Sequence, residues 1–333
     1  MAWRIHFTAE DLERIQVGPT LGPLAETVLA MGMLRCGRHQ PALLGPWRSQ
    51  VKGRLTSQMA PLTDLFPVGS KGVDLCMLTG TAPTFEQGVK ALISAPAEHV
   101  LTEMEWTDRT AGLPASAWAV AEAGGAGRIR LAHAVQAAHR ALVEPYWPRV
   151  HACLHAEQVS RLRILAAGGP ERLLTSIQSE WVRWRPPVLE VQMPMDVDMY
   201  LEGRGLSLVP SVFVGKCPNL IHDPSHPSAA PRLILPAADE RVRGGGLWDG
   251  PRSAKASGAA LAALVGRNRA AVLNAVAGGC TTTELAGRVG ISLAAASQHA
   301  SVLRDAGLIT SCRQGGAVLH ALTPLGADLL QAG

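Results

Sequence analysis

The chain has 333 residues, of which 47% are hydrophobic and 17% are charged, and its formal net charge is +4. This length predicts two domains, or three, and the composition excludes a largely disordered chain. No apolar stretch approaches the roughly 18 residues of a membrane span, and the early acids Glu10 and Asp11 leave no room for a secretory signal. The six cysteines lie far apart without a Cys-x-x-Cys pair, which disfavours a zinc finger or a disulfide scaffold. We therefore expect a cytoplasmic protein with reduced thiols and no membrane partner.

Aromatic residues divide the chain into two parts. The eight Trp, four Phe and two Tyr residues all lie at or before Trp248. A Gly- and Arg-rich stretch without apolar periodicity predicts a linker at 241–256. The predicted domains are therefore 1–240 and 257–333. Because the net charge is modest, contact with nucleic acid must come from a local patch.

Up to about residue 185 the pattern is mainly helical, with Pro and Gly residues between the helices. The predicted helices are Thr8–Gln16, Leu21–Met33, Pro46–Met59, Phe85–Ile93, Ser116–Ala123, Arg128–Arg149, Val150–Ala166 and Pro170–Trp184. Alternating or continuous apolar runs then predict strands at 188–193, 206–213 and 232–235. The expected fold class is mainly α, with a small antiparallel β-sheet beside the helices of an α+β domain.

Aromatic residues on the predicted helices are candidates for a ligand pocket in the larger domain, since small-molecule sites are usually apolar with a few polar groups. The ligand-binding candidates are Trp118, Tyr146, Trp147, Trp181 and Trp184. Trp181 and Trp184 are three residues apart, so they share one face of the predicted helix, with Arg183 and Arg185 beside them. The alternative is that these aromatics fill a core that is otherwise short of large side chains.

No motif indicates catalysis or a bound metal. His151 and His155 have helical spacing for a shared metal, but no His-Glu-x-x-His accompanies them, and the Pro-rich stretch 222–227 predicts a loop. The glycines at 124–128 lack the Gly-Lys-Ser/Thr ending of a phosphate-binding loop, and those at 203–205 precede a strand where a dinucleotide site needs a helix. We expect no enzyme, no catalytic or metal residues and no cofactor.

The small domain carries a series of local start and stop signals. Thr281 and Glu284 form a capping-box pattern before one short helix, and a tight turn at 290–292 leads to a second helix that ends near Ala306. Two strands then surround a Gly-rich turn within 308–322. Two helices across a glycine turn, followed by a hairpin, predict a winged helix-turn-helix.

In such a fold the second helix enters the major groove of DNA. Ser297, Gln298 and His299 lie in its first half, where Gln can pair bidentately with adenine and the others can reach base edges or phosphates. Arg304 suits a phosphate, and Arg313 at the base of the wing suits the backbone or the minor groove. The predicted DNA-binding residues are Thr281, Thr282, Ser292, Ala295, Ser297, Gln298, His299, Ser301, Arg304, Arg313 and Gln314.

Four short motifs follow one another in this domain: Thr-Glu-Leu-Ala-Gly-Arg-Val-Gly-Ile-Ser at 283–292, Ser-Gln-His at 297–299, Leu-Arg-Asp-Ala-Gly-Leu-Ile at 303–309 and Leu-Thr-Pro-Leu-Gly at 322–326. In this order and spacing they resemble the ArsR/SmtB-type family of bacterial repressors. The resemblance implies a homodimer that binds a double-stranded DNA operator with an inverted repeat.

The same resemblance implies dimer contacts from the flanking helices at 258–265 and 324–330. The chain departs from the family in two ways. Its helix before the recognition helix lacks the Cys-x-Cys pair of the metal-sensing members, which implies no metal switch. Ser301 and Gly316 stand where basic residues are common, which implies fewer phosphate contacts and greater reliance on dimerisation.

Further motifs at 7–12, 145–148, 165–169 and 201–213 are similar to the uncharacterised N-terminal domain that precedes an ArsR-type module in many regulators of high-GC bacteria. The sequence thus predicts a DNA-binding transcription regulator, a repressor, whose domain 1–240 senses a small-molecule effector and contributes to dimerisation. Three alternatives stay open: a ligand-independent regulator whose N-terminal domain serves dimerisation or protein recruitment, an enzyme domain fused to a DNA-binding module, and a winged helix used for protein contact.

Overall fold

The computed structural model describes residues 1–35, 44–68, 72–79, 82–121, 125–193, 196–215, 218–221, 228–237, 246–248, 261–314 and 317–332. The chain divides into two compact units, Met1–Trp248 and Asp249–Gly333. The predicted loop at 222–227, Gly316 and the predicted linker apart from 246–248 lie outside the described residues.

Helices make up most of the first unit. Its α-helices, among the described residues, are α1 (Ala9–Glu13), α2 (Pro23–Arg35), α3 (Gly45–Val51), α4 (Ala60–Thr63), α5 (Leu75–Thr79), α6 (Phe85–Ser94), α7 (Ala97–Ala111), α8 (Ala126–Ala138) and α9 (Trp147–Ser176). Shorter helical turns are 3-10 segments at Lys52–Arg54, Ser57–Met59, Ala115–Val120, Glu144–Tyr146 and Gly246–Trp248, and a π-helical segment at His139–Val143.

The strands of the first unit are β1 (Ala2–His6), β2 (Gln16–Val17), β3 (Val182–Arg185), β4 (Val188–Gln192), β5 (Val197–Tyr200), β6 (Ser207–Ser211), β7 (Asn219–Ile221) and β8 (Arg232–Pro236). They form two four-stranded sheets, with strand orders β3-β4-β1-β5 and β2-β6-β8-β7. In the first sheet β1 is antiparallel to β4 and parallel to β5, and in the second β6 is parallel to β2 and β8. The mainly α, α+β fold class is confirmed, but the strands form two mixed sheets rather than one antiparallel sheet.

The predicted helix 170–184 is wrong in its second half. Helix α9 bends at Gly169, whose φ of 72° is left-handed, and then continues only to Ser176. Residues 182–185 instead form β3, in which Val182 and Trp184 are buried while Arg183 and Arg185 are exposed. This alternation has the period of two that a half-buried strand requires, so Trp184 lies on a strand and Trp181 precedes it.

Helix α2 is the centre of the larger apolar core of the first unit. Its sequence is apolar on nearly every side, and most of its residues are buried, as expected of a helix with neighbours all around it. The core around it includes Trp47, Phe213 and Trp248, whose rings lie 4.8 to 5.9 Å apart between centroids. Trp248 falls inside the predicted linker, yet its side chain is fully buried in this core, so the first unit extends at least that far.

The second unit contains a helical segment at 261–265 and then the elements of a small α+β fold. These are α10 (Arg267–Ala275), β9 (Cys280–Thr281), α11 (Thr282–Val289), α12 (Leu293–Asp305), β10 (Ile309–Gln314), β11 (Ala317–Leu322) and α13 (Pro324–Ala332). β10 and β11 form an antiparallel hairpin, and β9 pairs with β11. The core is aromatic-free and includes Leu273, Leu285 and Leu303.

Candidate nucleic-acid interface

Helix α11 and the turn after it are fixed by local hydrogen bonds. The Thr281 hydroxyl accepts a hydrogen bond from the Glu284 amide at 3.3 Å, and the Glu284 carboxylate accepts one from the Thr281 amide at 2.9 Å. This is the predicted capping box, and the hydrogen bonds from Thr281 lower the pKa of Glu284. The helix ends at Gly290 in a left-handed conformation, φ 71° and ψ 35°, which glycine adopts without strain.

Ser292, at the end of the turn, caps the start of helix α12. Its hydroxyl accepts a hydrogen bond from the Ala295 amide at 3.2 Å. The buried residues Ala296, Ala300 and Leu303 face the core at helical spacing. Ser297 and Gln298 are exposed on the side away from that core. The helix therefore presents hydrogen-bonding side chains to solvent over its first two turns.

The other predicted residues of this region have more varied surroundings. Ala295, His299 and Ser301 are half-buried on α12. The Thr281 and Ser292 hydroxyls each accept a hydrogen bond that caps a helix. A DNA contact by either hydroxyl would have to form in addition to that capping bond. Gln314 ends β10, and its side chain lies outside the described part of the chain.

The predicted arginines differ in whether their guanidinium groups are paired with other groups of the protein. Arg304 pairs with the neighbouring Asp305 carboxylate at 2.9 Å, both being exposed, which offsets part of its charge. Arg313 is exposed on β10, opposite Val318 and one residue pair from the turn end of the hairpin, so it lies near the tip of the wing rather than at the predicted base. Arg267 and Arg269 are exposed on α10 and were not predicted as DNA contacts, and Arg269 donates a hydrogen bond to the Val265 carbonyl at 3.4 Å.

A buried histidine joins the wing to the two-helix unit, and no motif in the sequence had marked it. His320 on β11 is 4% exposed. Its Nε2 lies 3.0 Å from the Thr282 hydroxyl and its Nδ1 lies 2.8 Å from the Ser311 hydroxyl. Burial, followed by the nearby charge of Arg304, lowers the pKa of His320. Thr282, predicted as a DNA contact, is thus hydrogen-bonded within the fold.

The last helix is held against the end of α12. The Thr323 hydroxyl donates to the Gly307 carbonyl at 2.6 Å and accepts from the Gly326 amide at 3.0 Å. A Cβ at Gly326 would lie 1.9 Å from the Leu308 carbonyl oxygen, so only glycine permits this approach. The Leu-Thr-Pro-Leu-Gly motif therefore serves to dock α13.

The five aromatic ligand candidates of the first unit do not come together. Tyr146, Trp118 and Trp147 belong to the core around α2, whereas Trp181 and Trp184 pack in the second core, beside the sheets. The Tyr146 hydroxyl donates to the Gln50 side-chain oxygen at 3.0 Å, and Trp184 meets Phe7 edge-on at a centroid distance of 5.3 Å. The contacts favour the core-filling alternative for Tyr146 and Trp184.

Metal ligation by histidine receives no support in the described ranges. His151 and His155 are both exposed on α9. Among the described residues, no three His, Cys, Asp or Glu side chains are grouped so that they could hold a metal ion. In the same residues, no helix is both long and apolar enough to cross a membrane.

The second unit is a winged helix-turn-helix: two helices meet across a glycine turn, the second exposes polar side chains, and a β-hairpin follows. Residues 272–310 match a family model described as "Winged helix-turn-helix DNA-binding". The match runs from within α10 through α11 and α12 into β10, and it identifies a DNA-binding domain, of the kind found in regulators, within the second unit. No curated protein and no solved structure matches the chain.

Proposed function

We propose that this protein is a cytoplasmic transcription regulator, a repressor of the ArsR/SmtB type, that binds an inverted-repeat operator as a homodimer. The observation that carries the proposal is the two-sided character of α12. Its apolar side, with Ala296, Ala300 and Leu303, is buried, while Ser297 and Gln298 are exposed where a recognition helix meets base edges. His299, half-buried beside them, completes the proposed reading set.

We propose that a second copy of the chain covers the exposed apolar side chains on the two helices that flank the helix-turn-helix. Leu264 is 75% exposed in the segment 261–265, and Leu325 is 57% exposed at the start of α13. Both lie in the helices that supply dimer contacts in the resembled family. The two recognition helices of the dimer would then lie about 34 Å apart, one turn of DNA.

The electrostatics support modest affinity for each copy. Arg304 is paired with Asp305, and Arg288 donates to the Ala275 carbonyl at 3.0 Å, so two of the basic groups near the helices are engaged. Arg269 likewise donates to the Val265 carbonyl, at 3.4 Å, which leaves Arg313 and Arg267 as the exposed candidates for phosphate contacts. Since counterion release scales with the number of phosphates neutralised, a dimer doubles a small number of contacts.

Effector control is proposed for the first unit. A ligand can lower operator affinity only if it binds the DNA-incompetent conformation more tightly than the competent one. The first unit would then act on the recognition helices through the dimer, by changing the distance between them.

The test is sequence-specific binding by the recognition helix. Duplexes selected from a random pool with the full-length protein would be used for anisotropy titrations at fixed salt. Gln298→Ala combined with His299→Ala is expected to abolish selective binding, since each base contact contributes about 1–3 kcal/mol of discrimination, while the dimer persists.

Asn268→Ala is the matched control, because Asn268 is an exposed polar residue of α10 outside the proposed reading set. It should leave selective binding intact. Unchanged selectivity in the double variant would show that α12 does not read the operator. A monomeric wild-type protein in sedimentation would contradict the dimer.

A further inference from the structure

A large apolar side chain is exposed at the start of helix α12. Leu293, the first residue of that helix, is 54% exposed. In the part of the chain that the structure describes, Leu293 belongs neither to the core of the second unit nor to the side chains packed against that core, whereas Ile291 does pack there. The start of α12 is therefore fixed by Ile291 and by the Ser292 cap, and the fold itself makes no use of the Leu293 side chain among these residues.

The surface around Leu293 carries no charge. Ala294 is exposed beside it, and Ser297 and Gln298, about one turn further along the helix, are exposed as well. The six residues from Leu293 to Gln298 include no acidic and no basic side chain, and the first carboxylate of α12 is that of Asp305, at the end of the helix. Because nothing here repels phosphate groups, this end of the helix can enter a groove of DNA closely.

DNA offers one distinctive apolar group to such a side chain. In the major groove only thymine presents a methyl group, on C5, whereas the edges of the bases otherwise present hydrogen-bond donors and acceptors. The first residues of a recognition helix are the ones that contact base edges. A leucine at that place can form no hydrogen bond, and it would deprive a polar base edge of water without replacing it. The position of Leu293 and its chemistry together favour contact with thymine.

We propose that Leu293 recognises a thymine in each operator half-site by packing against the C5-methyl group in the major groove, with Ala294 at the edge of the contact. This inference rests on the proposed function, because it requires that α12 enter the major groove. It adds an apolar contact to the hydrogen bonds proposed for Gln298 and His299. Burial of one methyl group contributes about 0.8 kcal/mol, which corresponds to about fourfold in affinity.

The experiment removes the methyl group from the DNA and, separately, the side chain from the protein. The full-length protein is titrated by anisotropy with the duplex selected from the random pool, in which each thymine is replaced in turn by deoxyuridine in both half-sites. Deoxyuridine lacks only the methyl group, so the hydrogen-bonding edge of the base is unchanged. One such replacement is expected to weaken binding about fifteenfold, which is about fourfold for each of the two half-sites.

Three variants connect that loss to the side chain. Leu293→Ala should weaken binding to the unmodified duplex and should no longer respond to that deoxyuridine, because the two changes remove the same contact. Leu293→Met keeps a flexible apolar side chain and should retain most of the response. Val302→Ala is the matched control, since Val302 is also apolar and is 41% exposed in the second half of the same helix. It should respond to deoxyuridine as the wild type does.

The outcomes separate this inference from the proposed function. If the selected duplex is bound but no deoxyuridine weakens binding, the inference is overturned and the proposed function stands. The same holds if Leu293→Ala keeps the full wild-type response. If the full-length protein selects no duplex from the pool, the proposed function fails, and the contact between Leu293 and thymine is overturned with it.

Discussion

At the scale of single residues, His320 shows how one buried imidazole joins three elements of the DNA-binding unit. It lies on β11 and contacts hydroxyl groups on α11 and β10 through its two ring nitrogens. A neutral imidazole has one donor and one acceptor nitrogen, so one hydroxyl donates and the other accepts. The lowered pKa of His320 follows from this burial and from Arg304.

His320→Ala should destabilise the second unit by about 2 kcal/mol, because two hydrogen bonds are lost and two hydroxyls lose their partner. Urea unfolding followed by circular dichroism measures this loss. Tryptophan fluorescence follows the first unit alone, since every Trp lies at or before Trp248, and it provides an internal control. A fluorescence midpoint that shifted with the variant would contradict a local effect.

The same residue predicts a pH dependence. Because the folded state lowers the pKa of His320 below the unfolded value of about 6.5, the unfolded state binds the proton more readily. Stability of the second unit is therefore complete above about pH 6.5 and falls as the pH decreases below it. Unfolding at about pH 7.5 and about pH 5.5, on either side of that value, should show a smaller pH effect in His320→Ala than in wild type. Equal pH effects in the two proteins would rule out His320 as the titrating group.

At the scale of elements, the helix-turn-helix depends on where glycine is required and where it is merely tolerated. Gly290 has a φ of 71°, and a Cβ there would meet no described atom within 4 Å. Gly287, within α11, has the same open space where a Cβ would lie, and its backbone is helical. A Cβ atom would therefore have equal space at Gly290 and at Gly287, and the two positions differ in backbone conformation.

Opposite signs are expected for the two alanine substitutions. Gly290→Ala should destabilise by about 1 kcal/mol, the cost of a left-handed conformation for an L-residue. Gly287→Ala should stabilise by about 0.5–1 kcal/mol, because alanine has the higher helix propensity. Thermal unfolding of the second unit, followed by circular dichroism, measures both. Two shifts of the same sign would contradict the assigned turn.

At the scale of the whole molecule, Trp248 marks how far the first unit extends. Its ring packs against Trp47, Tyr146 and Phe213 at centroid distances of 5.7 to 5.9 Å. Its carbonyl accepts a hydrogen bond from the Gln50 side chain at 2.8 Å. A segment that the composition predicts to be linker therefore completes a core.

Trp248→Ala in the full chain should destabilise the first unit by about 3–5 kcal/mol, as expected when a buried aromatic is truncated. Trp106→Ala is the control, since Trp106 is 41% exposed and its truncation should have a smaller effect. Urea unfolding followed by fluorescence compares the two. Similar losses in both variants would show that Trp248 has no special place in the core.

How well the structure could be predicted differs between the two units. In the second unit the capping box at Thr281, the turn at Gly290 and the Thr323 cap are contacts between residues close in sequence, so a local pattern predicts them. In the first unit β1, near the start of the chain, pairs with β4 and β5, which lie close to residue 200. Strand β1 was not predicted, because such pairing leaves little local signal. Strand β3 pairs with the neighbouring β4; the predicted helix extended over it because the helical spacing of Trp181 and Trp184 was followed instead of the alternation at 182–185.

The local sequence encodes the helix starts and stops of the DNA-binding unit, its glycine turn and the polar positions of α12, because short-range hydrogen bonds and helical periodicity produce them. Which side chains are free and which are engaged depends instead on the folded arrangement. Folding buries Trp248, separates the aromatic candidates into two cores and brings His320 to Thr282. Those outcomes come from long-range packing and desolvation, which no local pattern records.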